Sequence, residues 1–153
     1  MNLHDQFKSY AKIMEDATAF RELSDSPVLE PGNTEIWYVD TEKKDNMRNF
    51  GMGWDWLVQM DEKEPGRVTI PDANNLEATH IKLGTIGETD LHRIFRLMQG
   101  ETWSPQGEAR QLIASKDLWH TSMMVGDIIV VNGNAMMVDD YGFVNIATGE
   151  KVD

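Results

Sequence analysis

The segment that most constrains what this chain can fold into is Asp127-Ile128-Ile129-Val130-Val131, followed after Asn132-Gly133 by the run Ala135-Met136-Met137-Val138-Asp139. Two apolar runs flank Asn-Gly, the dipeptide best able to hold positive φ at both central positions of a type I′ turn. This predicts a β-hairpin with strands 127–131 and 135–139. The runs are apolar at successive positions, and successive strand residues point to opposite faces. The sheet therefore needs cover on both sides. A chain of 153 residues can enclose one such core but not two, so a single domain is expected.

Upstream, Leu3, Phe7, Tyr10, Met14 and Ala17 recur at helical spacing, predicting an amphipathic N-terminal helix over 1–23 packed on the domain. Ser24-Asp25-Ser26-Pro27 ends it, and a linker follows through Pro31-Gly32-Asn33. Glu35–Val39, rich in β-branched and aromatic residues, reads as the first strand, and Thr79–Gly84 alternates at period two as another. Between them, glycines at 51 and 53 interrupt an aromatic cluster, implying irregular structure and then a short helix or strand at 54–58. Arg67–Ile70 reads as a further strand before Pro71. Leu91, Ile94, Phe95 and Met98 share one face of a helix over 89–99 that Gly100 is placed to end. Ser104-Pro105 supplies an N-cap and a first-turn proline for a second helix over 104–116, with Ala109, Leu112 and Ile113 buried. Phe143–Ile146 closes the sheet. The expected fold is α+β: an antiparallel sheet with a C-terminal β-hairpin, covered by short helices, over residues 34–147.

Charge narrows the partners. Twenty-six acidic against fourteen basic residues leave a formal −12, which repels phosphate backbones and anionic lipid. Direct nucleic-acid and membrane partners are disfavoured. The acids are scattered through the chain, as solvated surface usually is, although an acidic face imitating DNA is the sharper alternative. Absence of cysteine removes disulfides, thiol nucleophiles and thiolate zinc sites. No apolar run approaches a span of about 20 residues, and Met1-Asn2-Leu3-His4-Asp5 has no basic or apolar leader signature, so a cytoplasmic location is expected.

The run His120-Thr121-Ser122-Met123-Met124-Val125-Gly126-Asp127, then the hairpin, then Val138-Asp139-Asp140-Tyr141-Gly142-Phe143, resembles the YodL-like domains of phages, plasmids and conjugative elements. The order of elements is also similar: Ile36-Trp37-Tyr38, Arg48 to Phe50, His80 to Leu83 and Leu91 to Phe95 precede the block. Coverage is about 34–147, with specificity confined to 120–143. Met124 stands where the family commonly has a small polar residue, and Met136 or Met137 where it has an aromatic. The resemblance implies a small accessory protein working in a host cell's cytoplasm. Its partner would be a host protein, a defence or nucleic-acid enzyme among the candidates. It supplies no catalytic residue and no cofactor.

His120, Ser122 and Asp127 are the residue types of a hydrolase triad, but triad members usually come from separated segments, and no Gly-x-Ser-x-Gly is present. A structural reading assigns His120 and Ser122 to capping the loop backbone, Gly126 and Asp127 to the hairpin entry, Asn132 and Gly133 to its turn, and Gly142 and Phe143 to the next strand's start. Asp139 and Asp140 lack a third group for a cation, and the four histidines lack ligand spacing, so no metal or cofactor is expected. Trp54 and Trp56 belong to an aromatic and methionine cluster that either fills the core or forms a groove. Trp103 and Trp119, flanked by polar residues, are candidate surface contacts, and Asp139 and Asp140 join them as candidate partner-binding residues. Two alternatives stand beside host-protein binding. One is an enzyme or ligand-binding protein with a pocket near His120, Ser122 and Asp127; the other is an assembly role through self-association at a strand edge.

Overall fold

The computed structural model describes residues 32–153 apart from 44; the helix expected over 1–23 lies outside them. In chain order come β1 (Thr34–Val39), α1 (Asn46–Phe50), α2 (Trp54–Lys63), a 3-10 turn (Leu76–Ala78), β2 (His80–Ile86), α3 (Leu91–Leu97), α4 (Gly100–Trp103) and α5 (Arg110–Ser115). Then follow β3 (Ile128–Val131), β4 (Asn134–Val138), β5 (Phe143–Asn145) and β6 (Lys151–Val152). The strands form one antiparallel sheet in the order β2-β1-β3-β4-β5-β6. The fold is α+β.

Alternation along the strands divides the interior into two clusters. Ile36, Tyr38, Leu83, Ile129, Met136, Val138 and Phe143 pack with Ile94, Leu97, Trp103 and Ile113 of α3, α4 and α5. Trp37, Val39, Ile128, Ala135, Met137 and Val144 pack with Phe50, Trp54 and Leu57 of α1 and α2. Both faces of the sheet are thus covered, which is why its central strands carry uninterrupted apolar runs instead of an in-out alternation. One irregularity lies in β2. Ile36 pairs with Gly84 but Trp37 with Lys82, leaving Leu83 as the extra residue of a bulge. This shift puts Leu83 and Ile86, three apart, into the same cluster.

The hairpin forms as its turn residues require. Asn132 and Gly133 have φ of 51° and 80°, and Val131 pairs with Asn134 across the turn. Phe143–Asn145 does not close the sheet as expected, because the chain turns back after Thr148-Gly149 and β6 pairs with it. Three further boundaries differ from expectation. Residues 67–70 are not a strand; Val68 packs on the α2 side as part of a connecting loop. The helix expected over 104–116 begins only at Arg110. Residues 104–109 are turns closed by the Gly107 N–H on the Ser104 carbonyl, and the Ser104 hydroxyl accepts from the Ala109 N–H instead of capping a helix at Pro105. Gly100 opens α4 instead of ending α3, which stops at Leu97.

Gly126 sits where the chain enters β3, with φ of 101°, and a β-carbon there would lie 2.7 Å from the Phe50 β-carbon. Gly133 also needs positive φ, but a β-carbon there would meet nothing within 4 Å. Gly126→Ala is expected to cost about 2–5 kcal/mol, from backbone strain plus overpacking. Gly133→Ala should cost only the strain, about 1–2 kcal/mol. Urea unfolding of both variants tests this order; equal losses would contradict it.

Candidate functional site

The segment from Leu118 to Asp127 runs past α4 and the strand ends, and its backbone is tied down at several points. The Thr121 carbonyl accepts from the Tyr38 hydroxyl at 2.7 Å and from Trp103 Nε1 at 3.1 Å. Ser122 Oγ accepts from the Gly100 N–H at 2.7 Å, and the Met123 N–H donates to the Met98 carbonyl at 3.1 Å. Gln99 Nε2 donates to the Met123 carbonyl. Further on, the Gly126 N–H donates to the Val138 carbonyl, and the Val138 N–H to the Asp127 carbonyl. Buried backbone groups without partners would cost free energy, and these bonds supply partners where the loop passes inside the fold, around Met123, Gly126 and Asp127.

Asp127 is completely buried. Its Oδ1 accepts from the Val39 N–H and its Oδ2 from the Met124 N–H, both at 2.8 Å. Val39 lies beyond the last β1–β3 pair, Trp37 with Ile128. The carboxylate therefore takes the place of a strand carbonyl and carries the pairing past the strand's end. The Gly126 carbonyl nearby is occupied by His80 Nε2 at 2.8 Å. Because a carbonyl only accepts, His80 carries its proton on Nε2, and Nδ1 accepts from the Thr79 hydroxyl at 2.7 Å.

Burial sets the electrostatics here. It pushes Asp127 up to about 8, against the lowering pull of the Val39 and Met124 N–H bonds. His80 is brought down to about 4 by burial, opposed by its Gly126 bond. His120 is also lowered by burial, opposed by its bond to Ser122. Tyr38 is raised well above its ordinary value by burial and then by Asp127. His120 stacks on Tyr38 with centroids 4.8 Å apart, and its Nδ1 lies 2.7 Å from the Ser122 carbonyl. Its Nε2 faces Asp127 Oδ2 at 4.0 Å, beyond hydrogen-bond reach.

His120 and Asp127 are thus brought together, whereas Ser122 Oγ is engaged by Gly100 instead of His120, and no nucleophile–base pair is formed. Gly142 and Phe143 lie at the start of β5, where Phe143 joins the core. The candidate contact residues separate sharply. Trp103, expected at the surface, is 1% exposed, because its ring fills the α3–α5 side and its indole serves Thr121. Trp54 is buried on the opposite side and Trp56 is half-buried against that cluster. Asp139 is also internal: it accepts the Trp54 N–H at the start of α2, the Asp140 N–H, and Lys151 Nζ at 2.6 Å. Burial would raise it, but the Lys151, Trp54 and Asp140 bonds hold it below the usual carboxylate range. Asp140 is exposed, as is Tyr141 beside it.

Trp119 is 72% exposed. It borders an open cleft of about 370 Å³ that Met47, Lys43 and Arg48 also line. Two adjoining hollows of about 440 and 320 Å³ share Glu35, Trp37 and Glu77 at the β1–β2 end of the sheet. Among the described residues no cluster of three or more His, Asp and Glu is arranged to hold a metal ion. Sequence reasoning missed Tyr38 and His80 as partners of the 120–127 segment. The apolar run of β1 places Tyr38 in a buried strand, but the alternation of β2 groups His80 with Lys82 on its polar positions, and only the register across strands shows what either one meets.

Asp127→Ala strands the Val39 and Met124 N–H groups, and at about 1–3 kcal/mol for each buried unsatisfied donor the loss should be about 2–6 kcal/mol, measured by urea unfolding. The pH dependence follows from the two opposed shifts. Asp127, raised when folded, contributes stability that is complete below its unfolded value of about 3.9 and lost as pH climbs through about 8. His80, lowered when folded, contributes stability present above 6.5 and lost as pH falls through about 4. The two oppose each other at acid pH, and from about 6.5 upward the Asp127 term acts alone. Unfolding free energy should therefore fall between about pH 6.5 and 8.5; a flat or rising trend would contradict the assignment.

No family model, no curated protein and no solved structure matches this chain.

Proposed function

We propose that this chain is a non-catalytic accessory protein of phage or mobile-element type that binds and modulates a host protein, with Trp119 as its principal contact. The observation that carries the reading is the exposure of Trp119 at 72%, next to a segment held to the fold by the Tyr38 bond to the Thr121 carbonyl, the Ser122 bond to Gly100 and the Met123 bond to Met98. A large aromatic held on a rigid support loses little conformational freedom on binding, and tryptophan is among the residues that dominate interface energetics. Arg48 and Met47 beside it are also residue types favoured at interfaces. The resemblance of 120–143 to YodL-like domains supports the biological setting, and the −12 charge supports a protein partner over a nucleic acid.

The alternative of an enzyme near His120, Ser122 and Asp127 is less favoured, since the Ser122 hydroxyl and both Asp127 oxygens are engaged with backbone N–H groups.

Immobilised wild-type chain should capture a saturable partner from bacterial lysate. Trp119→Ala, with unchanged circular dichroism and melting temperature, should bind it at least about 30-fold more weakly, the effect of losing about 2 kcal/mol at a hot spot. Equal capture by both proteins would overturn the assignment of Trp119.

A further inference from the structure

We propose that His120 and Asp127 share one proton across the gap between Nε2 and Oδ2, and that this proton fixes the pose of the loop carrying Trp119. The argument begins at the other nitrogen. His120 Nδ1 lies 2.7 Å from the Ser122 carbonyl, which can only accept, so Nδ1 carries a hydrogen. In the neutral ring Nε2 is then a bare lone pair. It is buried, and among the described residues it is the buried side-chain polar atom that has no hydrogen-bond partner.

What it faces is Asp127 Oδ2, 4.0 Å away. An ionised carboxylate and a neutral imidazole would set lone pair against lone pair in a site closed to solvent, where unpaired polar groups are most costly. One added proton removes the conflict in either of two forms: a carboxylic acid donating to Nε2, or an imidazolium donating to the carboxylate. Reaching hydrogen-bond distance needs a closure of about 1 Å. The near-parallel stack on Tyr38, 14° between planes, leaves the ring free to slide toward Asp127 without breaking that contact.

Two titratable groups face this pair from other elements, and burial moves the titration of both away from that of the pair. From β1, the Tyr38 phenol, bonded to the Thr121 carbonyl, is raised by burial and then by Asp127. From β2, His80 is bonded to the Gly126 carbonyl and lowered by burial, with Asp40 and Lys43 facing it from the loop after β1. Trp103 and Gln99, which reach the loop from the helical side, are neutral. Trp119 adjoins His120 directly, so displacement of the imidazole moves its support. The consequence for binding rests on the reading of Trp119 as the contact residue; the shared proton does not.

Nuclear magnetic resonance on the full chain, labelled with ¹³C and ¹⁵N, tests both halves without a partner. Between about pH 5.5 and 9.5 the Asp127 carboxyl carbon and His120 Nε2 should follow one common midpoint, as coupled sites do, while Nδ1 stays protonated. The Trp119 indole resonance should move with the same midpoint. His120→Phe, which keeps the stacked ring and removes both nitrogens, should shift the Asp127 midpoint by more than about half a unit. Separate midpoints for the two residues, or an Asp127 midpoint unchanged in His120→Phe, overturn the shared proton. A common midpoint with an unmoved Trp119 resonance overturns its control of the loop. Lysate capture lost in Trp119→Ala would stand under any of these results, so the binding reading and this one fail separately.

Discussion

The bond from the Val39 N–H to the Asp127 carboxylate is the constraint on which the rest of the structure depends. β1 needs a partner for its last residue, and β3 has already turned away at Gly126. A side chain supplies the missing acceptor, at the expense of burying a carboxyl group whose ionised form the interior disfavours. Its second oxygen holds the Met124 N–H, so one residue closes the sheet's centre and shapes the loop before the hairpin.

His80 completes this arrangement from the other strand. By taking the Gly126 carbonyl it holds β2, β1 and the entry to β3 in one polar seam, with Phe50 edge-on to its ring at 5.1 Å. The glycine at 126 is needed for the same reason: the backbone must approach Phe50 too closely for any side chain. Buried polar groups that are fully paired specify a single arrangement, because each alternative leaves several of them unsatisfied at once. A comparable hub lies one strand over, at the end of β4. There Asp139 receives the start of α2, its own neighbour and Lys151, whose second carboxylate is Asp55 at 3.2 Å.

How much of this was legible in the sequence depended on how local each signal is. The hairpin was readable because Asn132-Gly133 dictates its own backbone and the flanking runs dictate the rest. β1 and β2 were readable from composition and alternation, though the bulge at Leu83 was not, since it exists only in the pairing. Ser104-Pro105 misled because Ser104 accepts a bond from Ala109 and makes a turn where a cap was expected. Trp103 and Asp139 misled in another way: polar neighbours suggested exposure, but the partners that draw them inward, Thr121 and Lys151, sit 18 and 12 residues away. Convergence of His120 with Asp127 could not be inferred, because it depends on the stacking of His120 on Tyr38, which lies in a strand 82 residues earlier.

The position of β1 has a consequence for how the chain is made. It lies between β2 and β3, so among the described residues the first strand to be synthesised is the one flanked on both sides by later ones. Its partner in β3 and the Asp127 carboxylate emerge from the ribosome only after β2 and the helices α3, α4 and α5 have been translated. Until then Ile36, Trp37 and Tyr38 have an open flank. Non-local pairing of this kind slows folding and leaves apolar strand surface exposed during synthesis. Completion of β1 therefore waits on the last part of the sheet to be made, and its open flank is covered only when the hairpin at Asn132-Gly133 closes.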